Sequence, residues 1–307
     1  YGDHLAVDDL SFEIPQGAVY GFLGPNGAGK STTLNILTGC LSPTAGQVLI
    51  DGADILEEPE KAKRCLGYLP EQPPLYFHET PQEYLEFVGE AKGVRGKALQ
   101  AQLDAVMEKT GIDQVRHQII GSLSKGYRQR VGIAQALLGE PKAIIFDEPT
   151  VGLDPIQILE IRDLIRELGK THTVVFSSHI LSEVQAICEK VLIIAHGKLV
   201  ALDTPENLEK LLKGGNGVTF RADCGMEEAE RLLKDIPGIA AWKGSAQEGL
   251  LCLEVTTEEN ADMRKLCGEV SMAFASAGKP VLEMKQKKAN LEDVFLELAG
   301  GEREVEA

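Results

Sequence analysis

The chain has 307 residues, 43% of them hydrophobic and 25% charged, a length and balance that suggest two globular domains. Its formal net charge of −16 argues against general nucleic-acid binding through a basic face, because such a surface repels phosphate backbones. No secretory leader is recognised, and no apolar run approaches about 18 residues, so any membrane crossing is expected from another chain. The chain opens on Tyr1 rather than Met, and a short preceding segment is expected to be missing.

In chain order, GAVYGFLG (Gly17 to Gly24) predicts a buried strand, and KSTTLNILTGC, from Lys30, predicts the helix after it. From about Thr80 to Leu138 helical patterns dominate, punctuated by Pro81 and Gly96, as in a helical subdomain (about 73–138) inserted into a sheet domain. KAIIFDEPT and TVVFSSH predict two more buried strands, and KVLIIAHGKLVALD a strand, a Gly turn and another strand. This alternation argues for an α/β fold with a mainly parallel sheet. LLKGGNG, Leu211 to Gly217, is the best boundary, giving domains 1–213 and 214–307. The second has a βαββαβ order, the ferredoxin-like sequence of elements in a small α+β domain, followed by an amphipathic stretch, ANLEDVFLELAG. Six cysteines (Cys40, Cys65, Cys188, Cys224, Cys252 and Cys267) form no CxxC pair, so they are expected as buried thiols in a reducing compartment, without zinc.

Chemistry concentrates in four places. GPNGAGKS, from Gly24 through Pro25, Asn26, Gly27, Ala28 and Gly29 to Lys30 and Ser31, satisfies G-x-x-x-x-G-K-[ST] between a predicted strand and a predicted helix. Its glycines let backbone N–H groups curl around a phosphate; Lys30 would reach the β- and γ-phosphates and Ser31 would bind Mg²⁺. AIIFDE ends a buried strand in Asp147, suited to Mg²⁺, with Glu148 turned elsewhere and suited to activating water. His179 ends another strand, where ligands of open α/β sheets gather, and could contact a γ-phosphate. His4, His78, His117, His172 and His196 carry no metal pattern. LSKGYRQR, Leu123 to Arg130, puts Ser124 and Gly126 at the mouth of a predicted helix, either as an N-cap or as an anion site.

Together these residues resemble the nucleotide-binding subunit of ABC transporters, over about Tyr1 to Lys213. GPNGAGKST, ending in Thr32, is similar to its Walker A, AIIFDE to its Walker B, VGLD (ending in Asp154) to its D-loop, His179 to its switch histidine and LSKGYRQR to its signature. The resemblance implies a P-loop NTPase cassette, a RecA-like core with an inserted helical subdomain, that hydrolyses ATP with Mg²⁺. It implies that Ser124 and Gly126 cap the γ-phosphate of an ATP held by a second subunit, two cassettes facing head to tail as a homodimer. Tyr1 falls 30 − 1 = 29 positions before Lys30, where the family places its adenine-stacking aromatic, so only a short first strand would precede it. Lys125 replaces the usual Gly and Tyr127 the usual Gln of the signature. Glu71 stands where the family has the Gln linking Mg²⁺ and water to the membrane subunit; Gln72 follows, and either is a candidate. The Glu form with LSKGY resembles the ABC-2-type export branch, including gliding-motility-associated and multidrug-type ATPases. That implies a peripheral subunit on the cytoplasmic face of the membrane, driving export through a separate permease, with no nucleic-acid partner. An importer ATPase and a soluble, non-transport ABC ATPase are the alternatives. The C-terminal part resembles the accessory domain common after ABC-2-type cassettes.

Overall fold

The computed structural model describes residues 2, 5–211, 217–247, 249–258 and 261–287. Tyr1, His4, residues 212–216 of the Gly-rich run and the stretch 289–300 lie outside the described residues. The chain forms two compact units, which divide between Pro205 and Glu206.

The first unit is built on a six-stranded sheet. β1 (Val19–Leu23) is followed by α1 (Lys30–Leu37), a small hairpin of β2 (Leu49–Ile50) and β3 (Ala53–Asp54), α2 (Pro59–Arg64) and β4 (Leu66–Leu69). Three helices come next: α3 (Pro81–Ala91), α4 (Gly96–Thr110) and α5 (Lys125–Leu137). The chain then returns through β5 (Ala143–Phe146), α6 (Pro155–Gly169), β6 (Thr173–Ser178), α7 (Leu181–Ile187), β7 (Lys190–Ala195) and β8 (Lys198–Asp203). The sheet order is β4-β5-β6-β1-β7-β8, parallel throughout except for the antiparallel β7–β8 hairpin. β1 is buried at all five positions because helices cover both faces of a parallel sheet. Phe22, Leu34, Ile145, Val175, Leu192 and Ile194 belong to one apolar cluster of this core.

The inserted helices have sequence-encoded ends. Thr80 and Glu83 form a reciprocal capping box at the start of α3, with Pro81 in its first turn, and Gly111 closes α4 in the left-handed conformation. Lys92, just past α3, donates to the carbonyls of Gln135, Ala136 and Leu138 at the end of α5.

The division falls within the first turn of α8 (Pro205–Leu211), and the second unit continues through β9 (Gly217–Ala222), α9 (Met226–Leu233), β10 (Ile239–Gln247), β11 (Leu250–Thr257), α10 (Met263–Ser276) and β12 (Val281–Lys287). Its four strands run antiparallel in the order β10-β11-β9-β12. Alternate residues Val218, Phe220 and Ala222, with Leu251, Leu253 and Val255, face the two helices and pack on Ala229, Leu233, Leu266, Val270 and Phe274.

The expectation of buried thiols is corrected. Cys188 alone among the six is buried, where it fits because Gly21 leaves room: a Cβ on Gly21 would meet the Cys188 sulfur at 2.8 Å. Cys40 is exposed in the turn after α1, and the other four are partly exposed.

Candidate active site

The Gly-rich loop joins the end of central β1 to α1. Gly27 and Gly29 have φ of 81° and 100°, which a side chain would oppose. A Cβ on Gly29 would also stand 2.5 Å from the Ala6 carbonyl oxygen, and one on Gly24 2.6 Å from that of Ile194. No side chain caps α1, so its first N–H groups are left to a ligand. Lys30 Nζ donates to the Gly24 carbonyl at 2.8 Å and lies 3.8 Å from Glu148 Oε1. Burial lowers the Lys30 pKa from the ordinary lysine value, and the Glu148 and Asp147 carboxylates oppose that shift.

The two carboxylates sit where β5 ends. β6 lies between β5 and β1, and its Ser177 ties them together. Ser177 Oγ donates to Asp147 Oδ1 at 2.6 Å and accepts from the Glu148 N–H at 2.8 Å. The Asp147 N–H in turn donates to the Leu69 carbonyl of β4 at 2.8 Å. Glu148 has φ of 47°, a strained conformation for a residue with a side chain, of the kind that gathers at functional sites. Its Oε2 lies 2.9 Å from His179 Nδ1 at the end of β6.

A cavity of about 460 Å³ brings these elements together. Its lining includes Pro25, Asn26, Gly27, Gly29, Lys30, Ser31 and Thr32 with Glu71, Glu148 and His179. Gly24 and Ala28 hold the loop from behind, and Asp147 is recessed at 3% exposure. Of the adjacent pair, Glu71 lines the cavity and Gln72 does not. Ser124, Gly126 and Asp154 are also outside the lining. Ser124 caps α5, accepting from the Tyr127 N–H at 3.3 Å, and Gly126 is buried against the Gln157 side chain. Asp154 caps α6 through the N–H groups of Ile156 and Gln157. Two buried polar residues close to these groups were not singled out from the sequence. Ser177 could have been suspected from the SSH triplet, whereas Glu183, a buried carboxylate on α7, carries no motif.

A glycine loop between strand and helix of a parallel sheet, with a recessed Asp two strands away, defines a P-loop NTPase. The ABC transporter family profile matches residues 7–151. Two relatives match nearly the whole chain. One is an uncharacterised ABC transporter ATP-binding protein, YxlF of Bacillus subtilis, 34% identical over 97% of this chain and 96% of its own. The other is the bacitracin transport ATP-binding protein BcrA of Bacillus licheniformis, 35% identical over 98% and 94%. A solved ATP-binding cassette, dimeric in a post-hydrolysis state with ADP and Pi, superposes with a TM-score of 0.59 at 27% identity, covering 65% of this chain and 90% of that one. The chain therefore belongs to the ABC transporter ATP-binding proteins. It is the ATP-binding subunit of an ABC transporter and an ATP hydrolase.

Proposed function

We propose that two copies of this chain close head to tail on two ATPs and so power export through a separate membrane permease. The observation that carries this is the composition of the cavity. It gathers the Gly-rich loop, Glu148 and His179 of one chain, but none of Ser124, Gly126 or Asp154. A second copy would supply the missing wall, with Ser124 and the α5 N-terminus facing the γ-phosphate. In this reading Lys30 holds the β- and γ-phosphates, Glu148 takes a proton from the attacking water, and His179 holds Glu148 and the γ-phosphate in place. Glu71, rather than Gln72, contacts the metal or water, since it is the one that reaches the cavity.

Oxygen donors suit Mg²⁺ here: the Ser31 hydroxyl and the Asp147 and Glu71 carboxylates are hard ligands. Among the described residues no cluster of three His, Cys, Asp or Glu forms a closed cage. That fits an ion which keeps its waters and shares phosphate oxygens. When bound, Mg²⁺ would offset the charge of the phosphates.

No helix among the described residues is long and apolar enough to cross a membrane. Tyr76, Phe77 and Phe87, each about half exposed around α3, form an aromatic patch suited to a protein partner. The full-length relative named for bacitracin transport and the ABC-2-like sequence features favour export at the cytoplasmic face. The 214–307 part is assigned an accessory role, in dimer contact or regulation.

Mixing tests the shared site. A Lys30→Ala chain and a Ser124→Arg chain should each be nearly inactive. In mixed dimers one site pairs the intact loop of the second with the intact signature of the first, and ATPase activity should return. Mixed dimers that form, close on ATP and recover nothing would refute the arrangement.

A further inference from the structure

Glu183 stands out among the buried polar groups. It lies on α7 at 2% exposure, yet it lines no cavity described above. Its Oε2 accepts from Thr150 Oγ1 at 2.8 Å and from Ser178 Oγ at 2.9 Å. Thr150 is two residues past Glu148, and Ser178 immediately precedes His179. Ser178 Oγ also accepts from the Ile180 N–H at 2.9 Å, and the Glu183 N–H donates to the Ile180 carbonyl at 3.2 Å. One oxygen of one side chain therefore ties the loop that carries Glu148 to the turn that carries His179.

The other oxygen, Oε1, is buried and has no hydrogen-bond partner among the described residues. An unsatisfied buried acceptor is destabilising, so a carboxylate is a poor choice for merely filling this space. β6 adds a second constraint. Its adjacent serines point to opposite faces, Ser177 to Asp147 and Ser178 to Glu183. A single strand end thus sets the position of both the Asp147–Glu148 pair and the His179 turn.

We infer that Glu183 is a positioning residue for hydrolysis, fixing the spacing between Glu148 and His179 through Thr150 and Ser178. This rests on the reading in which Glu148 and His179 act on water and the γ-phosphate. The bond it maintains is the 2.9 Å contact of His179 Nδ1 with Glu148 Oε2. Displacing a reacting group by about 1 Å can cost about 100-fold in rate. Glu183 itself is not among the residues that line the nucleotide cavity, so ATP affinity should be spared.

The experiment compares kcat, the KM for ATP and thermal unfolding of the full chain for Glu183→Ala, Glu183→Gln, Thr150→Val and His179→Ala. Glu183→Ala should lower kcat about 10- to 100-fold with KM changed less than about threefold. Glu183→Gln keeps an oxygen for both hydroxyls, so its kcat should stay within about threefold even if its unpaired amide lowers the melting temperature. Thr150→Val, which removes one of the two ties, should fall between them and supplies the measurement if Glu183→Ala does not fold. Equal kcat losses in the Ala and Gln variants, in step with their melting temperatures, would mean a purely structural role and overturn the inference. So would unchanged kcat in folded Glu183→Ala or Thr150→Val while His179→Ala is inactive. Normal turnover in His179→Ala would instead remove the reading of the site on which the inference stands.

Discussion

At the scale of single residues, the carboxylate proposed as the base is recessed but not sealed. Glu148 is 8% exposed, bonded to His179, and 3.8 Å from the Lys30 ammonium. Glu148→Gln keeps the shape and removes the base. Turnover should fall by about 10²- to 10⁴-fold while ATP still binds, the size expected for a positioned base. Steady-state ATPase assays beside equilibrium nucleotide binding check this, and near-normal turnover would refute the role given to Glu148. The principal residues were legible because phosphate chemistry needs a fixed spacing. GPNGAGKS must be contiguous for its N–H groups to converge, and Asp147 and His179 each close an apolar run. Glu183 was not legible. It lies in LSEVQAI, where a Glu on an amphipathic helix ordinarily faces water, and only folding brings Thr150 and Ser178 to it. Ser124 was read two ways, and its capping bond to Tyr127 is present in the single chain. The cap leaves the proposed second role open, since it uses one N–H of several at the helix start.

At the scale of elements, α5 ends against a partly buried lysine. Lys92 satisfies three carbonyls there, and burial pushes its pKa down to about 8. Between about pH 8 and the ordinary lysine value, near 10.4, the unfolded chain binds more protons at this residue than the folded one. Its desolvation cost, fully present below pH 8, is therefore relieved as the pH rises through that window. Denaturant unfolding of the native chain and of Lys92→Met at pH 7.5, 9 and 10 should show the native-minus-variant stability rising with pH. A difference that stays flat or falls would contradict the buried-ammonium account. Other elements show where sequence patterns lose force. Nothing announces β4: Gly67 interrupts its short apolar run because a Cβ there would collide with the Ala136 carbonyl of α5. The β2–β3 hairpin has two residues a strand, too few for a period to register. The strands β1, β5, β6 and β7 are legible because burial on both faces demands continuous apolar runs.

For the whole molecule, each unit has its own apolar cluster, and the described residues that line the nucleotide cavity all belong to the first. A chain ending at Lys213 should fold and bind ATP with an affinity within a few-fold of the full chain, as read by nucleotide titration and thermal unfolding. Failure to fold or to bind would mean that the first unit needs the second for its core. Strand order, by contrast with strand identity, was not visible in the sequence, because it is fixed by contacts between distant segments. The central position of β1 makes this concrete. Gly17, just before it, donates to the Thr173 hydroxyl at the foot of β6, 156 residues later. A ribosome adding about 5–20 residues per second needs roughly 8 to 31 s to cover that interval. Throughout it, a strand destined for complete burial is in the cell without either neighbour, and the phosphate loop has been made but has no sheet to hang from. Birth of this subunit is thus a waiting problem, and the wait shortens in proportion as translation quickens.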